Sequence, residues 1–203
     1  MSETSKTFKI ALIGCGKVAK KHFKSIIKQA NKFELCALVD ANVDSARNLL
    51  DTVKLKASEK EELSSSVSIH TDYKQMLVDK TPDIVAITVP SGLHYEMASQ
   101  AMEAGAHVLL EKPMTMRASE AKKLRDLASK LNKTIAMGHI YRYFPVINHI
   151  QKDLSDGVFG DISHGSVIVR WGHEQHYYDQ AQWRGTWKYD GGALMNQSIH
   201  AID

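Results

Sequence analysis

The chain lacks the features that mark several classes of protein. It has only two cysteines, Cys15 and Cys36, in 203 residues. Neither has metal-ligand spacing, and both fall in stretches that read as a core strand or its turn. Reduced, structural thiols of a cytosolic protein are therefore expected, with no bound metal. No run of about 18 apolar residues is present, so no membrane span is expected. The opening MSETSKTFK has no apolar h-region, so a secretory signal is not expected and a cytoplasmic location is. The lysines are spread along the chain, with a formal net charge of +3 and a pI near 8.7. No run is dense enough to form a nucleic-acid or membrane-surface patch. Internal repeats and low-complexity linkers are also missing. What remains is an ordinary globular composition, 43% hydrophobic and 24% charged, long enough for one large domain or one domain plus part of another.

The pattern along residues 1–138 alternates short apolar runs with helical periodicity. FKIALIG (Phe8 to Gly14) has strand length, and the next apolar residues, Phe23, Ile26, Ile27 and Ala30, lie on one helix face after Ala19. FELCALVD (Phe33 to Asp40), VSIHT, DIVAITV (Asp83 to Val89), AHVLLEKP and TIAMG read as further strands. Helices are expected around Val43 to Thr52, in DYKQMLVD, in HYEMASQAMEA with Gly105 as a left-handed cap, and through Ala121, Leu124, Leu127, Ala128 and Leu131. Residues 54–66 are polar and read as a loop or insertion. Strands that alternate with helices of this length indicate βαβ units and a parallel sheet buried on both faces, an α/β fold of Rossmann type.

After Gly138 the pattern changes. An amphipathic helix (Val146 to Leu154), a turn at Gly157 and Gly160, and an alternating strand ISHGSVIVRW are expected, followed by a polar, aromatic-rich stretch and a helix after Gly191-Gly192. Residues 139–203 read as the start of an α+β open-sheet domain that stops at Asp203 in mid-helix. The expectation is a piece of a longer two-domain protein.

Gly14-Cys15-Gly16-Lys17-Val18-Ala19 is a GxGxxA sequence between the first strand and the first helix. In a dinucleotide fold the first glycine makes the tight turn, the second admits the pyrophosphate, and the small third residue lets helix and strand pack closely. The phosphates then rest on the N–H groups that open the helix, including those of Lys17, Val18 and Ala19. Such a motif alone equally describes a plain strand-to-helix turn. Here its context is right, and Asp40 ends the second strand 21 residues after Ala19, close to the roughly 20 expected of the ribose-binding acid. A carboxylate there repels a 2′-phosphate, which favours NAD over NADP.

Ligands of open parallel sheets bind at the carboxyl ends of the strands. Pro90, Ser91 and His94 follow the fourth strand and Glu111-Lys112-Pro113 the fifth, so all lie on the ligand edge by topology. A structural or cofactor-edge role fits His94 better than catalysis. A lysine desolvated at that edge can exchange protons, although a lysine after a strand is by default an ordinary solvated residue. Asn196, His200 and Asp203 share a helix face beside the apolar stripe of Met195, Ile199 and Ile202; a solvated face fits the same spacing.

TVPSGLHYEMA, EKPM and GGALMNQSIHAID, together with the GxGxxA start, resemble the glucose–fructose oxidoreductase / inositol dehydrogenase / rhizopine catabolism (Gfo/Idh/MocA) family over essentially the whole chain. The resemblance implies an NAD(P)-dependent oxidoreductase of sugars, cyclitols and related compounds, often oligomeric through its second domain. It implies that Lys112 hydrogen-bonds the reacting hydroxyl region, that His200 accepts the proton, and that the Lys112–Pro113 bond is cis. Arg142 and Tyr143, after the last Rossmann strand, and Asn196 are candidates to face the substrate. Many relatives have Asp where this chain has Asn196, so a carboxylate-assisted mechanism is not implied here; Ser198 stands where many have Gly. The form WRGTW…DGGALMNQSIH is most similar to the branch that oxidises C3 of UDP-linked N-acetylated uronic acids for surface polysaccharide synthesis. Arg170, Arg184 and Lys188 would suit such an anionic substrate or would be ordinary surface. Trp171, Trp183 and Trp187 read as core or oligomer-interface residues. The alternatives are a non-catalytic NAD- and sugar-sensing regulator of the same fold and an NAD-dependent glycosidase.

Overall fold

The structure is a computed structural model that describes residues 6–51 and 66–203. The expected loop at 54–66 lies outside the described residues except for Ser66. Six parallel strands form one sheet: β1 (Phe8–Ile13), β2 (Phe33–Val39), β3 (Ser68–His70), β4 (Ile84–Ile87), β5 (His107–Leu110) and β6 (Ile135–Met137). Their order across the sheet is β3-β2-β1-β4-β5-β6. That is a doubly wound Rossmann arrangement with its switch point between β1 and β4.

Period-two alternation sorts the strand residues between two cores. Ile10 and Leu12 of β1 face α1 (Ala19–Lys28) and α2 (Val43–Leu50), where Phe23, Ile26, Ala46 and Leu49 close the layer. Ala11 and Ile13 face the opposite way, toward Met76 of α3 (Tyr73–Lys80), Ala98 and Met102 of α4 (His94–Glu103), and Leu124 of α5 (Ala118–Leu131). The alternation breaks once, where Ile10 pairs with Leu35 but Ala11 pairs with Ala37. Cys36 is the extra residue of this bulge. Its buried thiol donates to the Ile10 carbonyl at 3.4 Å.

Local capping sets several helix ends. Asn42 and Asp72 accept the amides of Asp44 and Lys74, opening α2 and α3. Gly105, at φ +97°, takes the left-handed position after α4. The first helix ends at Lys28, which leaves Ala30 beyond its cap.

Beyond β6, α6 (Pro145–Ser155) forms as expected, and Gly157 and Gly160 both have positive φ. The strand expected at ISHGSVIVRW does not form. Residues 162–171 are exposed, and no described strand lies alongside them to take their backbone groups. The alternation is real, but a strand needs a partner and its sequence cannot supply one. A short helix α7 (Gln175–Asp179) follows. A π-helical turn (Leu194–Ser198) then runs into α8 (Ile199–Ile202). Among the described residues no helix is long and apolar enough to cross a membrane.

Candidate active site

The glycine loop closes over the switch point. Gly14 has φ +89°, and a Cβ on it would sit 2.9 Å from the carbonyl of Thr88 and from Val89. Conformation and packing both demand glycine there. Gly16 is different: a Cβ on it would meet nothing within 4 Å. Neither the fold nor the backbone angle requires glycine at 16, so the open space above it suits a ligand that approaches the backbone. Ala19 is fully buried where α1 meets the sheet, while Lys17 and Val18 are exposed at the helix start, with no acidic residue in the first turn.

Asp40 is tied to this loop. Its Oδ2 accepts the Cys15 amide at 2.8 Å and its Oδ1 the Asn42 amide at 2.9 Å. Each oxygen keeps a lone pair for a further donor such as a ribose hydroxyl. Burial, with Asp40's charge adding to it, pushes the Cys15 thiol up to about 12. It therefore stays a thiol, with Sγ 3.6 Å from the Val39 carbonyl. The loop thus fits a dinucleotide with an unphosphorylated ribose.

The turns after β4 and β5 meet at the carboxyl edge, joined by the His94 ring. Pro90 and Ser91 lie at the opening of a short 3-10 turn (Ser91–Leu93), against which the Lys188–Tyr189 backbone packs at Gly92. His94 is 1% exposed, with Nδ1 2.7 Å from the Pro113 carbonyl and Nε2 3.0 Å from the Val89 carbonyl. Both ring nitrogens face backbone, so this residue braces the β4 and β5 turns and has no ring nitrogen left for a cofactor. Burial holds its pKa below the ordinary value, against the pull of those two carbonyls.

The Lys112–Pro113 bond is cis. Glu111 Oε1 lies 2.7 Å from His22 Nε2 of α1, and its Oε2 accepts the Lys112 amide at 3.3 Å. Gly138 packs directly on this carboxylate, 3.0 Å from Oε2 to a Cβ built there. Burial works to raise the Glu111 pKa, but the His22 contact and Lys112 outweigh it and hold the carboxyl below its ordinary value. Burial lowers the Lys112 pKa, opposed by the charges of Glu111 and Asp190. Lys112 Nζ donates to the Asn196 backbone carbonyl at 2.5 Å and to Asn196 Oδ1 at 3.2 Å. The carbonyl it reaches belongs to the π-helical turn, a widened turn common at functional sites.

His200 completes the cluster. Its ring stacks on Tyr141 at 5.0 Å, and its Nδ1 is buried with no hydrogen-bond partner. Burial, then the charge of Lys112, lowers its pKa. Beside it opens a cleft of about 310 Å³ lined by Tyr141, Arg170, Trp171, Gln197 and His200. Lys112, Asn196 and His200 are therefore brought together at the carboxyl edge. Arg142 Nε donates to Asp203 Oδ2 and its Nη2 to Oδ1, both at 2.7 Å. His139 Nδ1 stands 3.3 Å from the same carboxylate, in ion-pair range but off the line of a hydrogen bond. Tyr143 is 73% exposed. Arg184 lies over the rings of Tyr177 and Trp183, and Trp187 is exposed. Two residues close to the cluster carry no signal in the sequence, His22 and Asp190. Each acts through a partner remote along the chain or an asparagine between.

Comparison with known proteins agrees with the Rossmann-type fold. Residues 8–139 match the model of an oxidoreductase family with an NAD-binding Rossmann fold, and residues 147–203 match the GFO/IDH/MocA C-terminal domain. The WlbA dehydrogenase of Chromobacterium violaceum, solved with NADH and UDP-GlcNAcA, is 33% identical with a TM-score of 0.85, over 98% of this chain and 55% of its own. Its counterpart from Bordetella pertussis, solved with the same two ligands, is 28% identical with a TM-score of 0.86, over 99% and 57%. A D-glucoside 3-dehydrogenase of Escherichia coli is 29% identical over 98% of this chain and 53% of its own length. The chain spans about half the length of the relatives it matches. It belongs to the Gfo/Idh/MocA family of oxidoreductases with an NAD-binding Rossmann fold.

Proposed function

We propose that this chain serves an NAD-dependent dehydrogenase that oxidises a secondary hydroxyl of a nucleotide-linked sugar, C3 of a UDP-N-acetylated uronic acid. The observation that carries the reading is the meeting of Lys112, Asn196 and His200 at the carboxyl edge of the sheet, beside a glycine loop with open space over Gly16. The two WlbA dehydrogenases, each solved with NADH and UDP-GlcNAcA, support the substrate class.

Bound NAD supplies the acceptor for the hydride that leaves the carbinol carbon. Gly16 and the start of α1 would hold the phosphates, and Asp40 would accept from the ribose hydroxyls. Lys112, as an ammonium, donates to the reacting oxygen and stabilises charge that develops on it. His200 has its pKa lowered, so at neutral pH the ring is uncharged and able to take the hydroxyl proton. With NAD bound, loss of hydride and proton would leave a ketone, and His200 would return its proton to water. Asn196 and Arg170 fit the sugar hydroxyls and the carboxylate of the substrate.

The test is absorbance at the NADH band when the purified chain meets NAD and a UDP-N-acetylated uronic acid. NADH formation dependent on Lys112 and His200 is the expected result. Binding of NADH without any reduction of NAD, for this substrate and for free sugars and inositols, points instead to a sensor. Sugar release without net NADH points to a glycosidase. Either outcome sinks the dehydrogenase reading.

A further inference from the structure

Asp190 has no place in the chemistry above, yet it is 3% exposed and reaches Lys112 through a single intervening side chain, that of Asn196. Two donors converge on its carboxylate. The Gly185 amide donates to Oδ2 at 2.6 Å, and Asn196 Nδ2 donates to Oδ1. A carboxylate only accepts. The edge of Asn196 that faces it must therefore be the NH2 edge, which turns Asn196 Oδ1 toward Lys112 Nζ at 3.2 Å.

We propose that Asp190 is a positioning residue of the site, whose buried carboxylate fixes the Asn196 amide so that it presents oxygen rather than NH2 to the Lys112 ammonium. The charge arrangement is a property of this chain; only its consequence for turnover rests on the dehydrogenase reading. An asparagine at 190 has the right shape and the wrong chemistry. It has one oxygen for two converging donors. Either the Gly185 amide is left facing an NH2 group, or Asn196 turns over and points its own NH2 at Lys112. Asp190 also opposes the effect of burial on Lys112, together with Glu111, while His94 and His200 are the titratable rings near the same amine.

The arrangement makes a swap the decisive comparison. In the double variant Asp190→Asn with Asn196→Asp, the amide placed at 190 gives its oxygen to the Gly185 amide and its NH2 to the carboxylate placed at 196, which then meets Lys112 directly. Every donor regains an acceptor.

The experiment is competitive acetylation of the chain with acetic anhydride across pH, with the Lys112 peptide followed by mass spectrometry. Its midpoint reports the ionisation of Lys112 without any need for turnover. In Asp190→Asn the midpoint is expected to fall by about one pH unit, the scale of a lost neighbouring charge, and in the swap it returns to the wild-type position or above. An unchanged midpoint in the single variant, or a swap that stays as low as the single variant, overturns the proposal. If Asp190→Asn does not fold, wild type against the swap decides: a midpoint at or above wild type supports it and a lower one overturns it. Turnover of the UDP-sugar acid, measured on Asp190→Asn, is expected to show kcat falling while KM for NAD holds. Midpoints that move as stated in chains that turn over no sugar leave Asp190's role standing and remove the dehydrogenase reading.

Discussion

His22 and Glu111 stand 89 residues apart in the chain and 2.7 Å apart in space, with their side chains only 19% and 15% exposed. The pair links α1, whose first turn receives the phosphates in the proposed function, to the turn that carries Lys112. Glu111→Gln is expected to destabilise the chain at pH 7 by about 1–3 kcal/mol, the range for a hydrogen bond to a buried charged group. The carboxyl is held below its ordinary value of 4.5. Its stabilisation is therefore fully present above that value and is lost as pH falls through the depressed one. Protonated Glu111 and glutamine are close in shape, so the gap between the two proteins should close in acid. Urea midpoints at pH 7 and near pH 3 check this; a gap of the same size at both would show that charge is not the cause.

The two loop glycines are expected to fail in opposite ways. Gly14→Ala meets both a positive φ and the Thr88 carbonyl at 2.9 Å, and should lose at least the roughly 1–3 kcal/mol of a strained backbone position. Gly16→Ala has open space around it, so stability should stay within about 0.5 kcal/mol of wild type. Its methyl group stands where the pyrophosphate would come closest, so NADH affinity should drop tenfold or more, a loss of about 1.4 kcal/mol. Thermal unfolding and calorimetric titration on the same two variants separate the effects. Equal NADH binding by Gly16→Ala and wild type would rule out a phosphate site at this loop.

Asp40 holds the Cys15 and Asn42 amides and still has lone pairs to offer. In Asp40→Ala the ribose loses its acceptor and the loop loses its tie. NADH binding is expected to weaken by about 1.5–3 kcal/mol, as for a charged hydrogen bond. NADPH binding should weaken less or improve, because the charge that repels its 2′-phosphate is gone. Calorimetry with both nucleotides reads the ratio. A variant that loses both equally would mean that Asp40 only shapes the loop.

The parts of this fold legible in the sequence are those that depend on neighbours along the chain. Apolar runs such as Phe8–Ile13 and helix faces such as Phe23 and Ile26 carry their own period, and the glycine spacing carries the switch-point turn. The proposed roles of Lys112 and His200 rest on resemblance to a family, because a lysine after a strand and a histidine on a helix face read by themselves as solvated. What escaped is set by distant contacts. Residues 162–171 alternate like a strand and find no partner alongside. Arg142 is engaged by Asp203 through a contact 61 residues long. Asp190 reaches Lys112 only through Asn196, and no spacing rule describes a three-residue relay.

The pH dependence of turnover follows from two shifts of the same sign. His200 is held below its ordinary value of 6.5, first by burial and then by Lys112. As a proton acceptor it must be neutral, so activity should rise with pH through a midpoint below that value. Lys112 is held below its ordinary value of 10.5 by burial. As a donor to the reacting oxygen it must keep its proton, so activity should fall again through a midpoint below 10.5. The two limbs can be assigned by separate variants. His200→Ala should lower kcat by roughly 10²–10⁴-fold and remove the acid limb, since general-base catalysis has that scale. Lys112→Arg keeps a charge through alkaline pH but loses the compact ammonium, so kcat should fall while the alkaline limb moves outward. Profiles of kcat from pH 5 to 10 on the three proteins test both assignments. An acid limb that survives in His200→Ala would place the base elsewhere, and an alkaline limb unmoved in Lys112→Arg would free Lys112 from the proton chemistry.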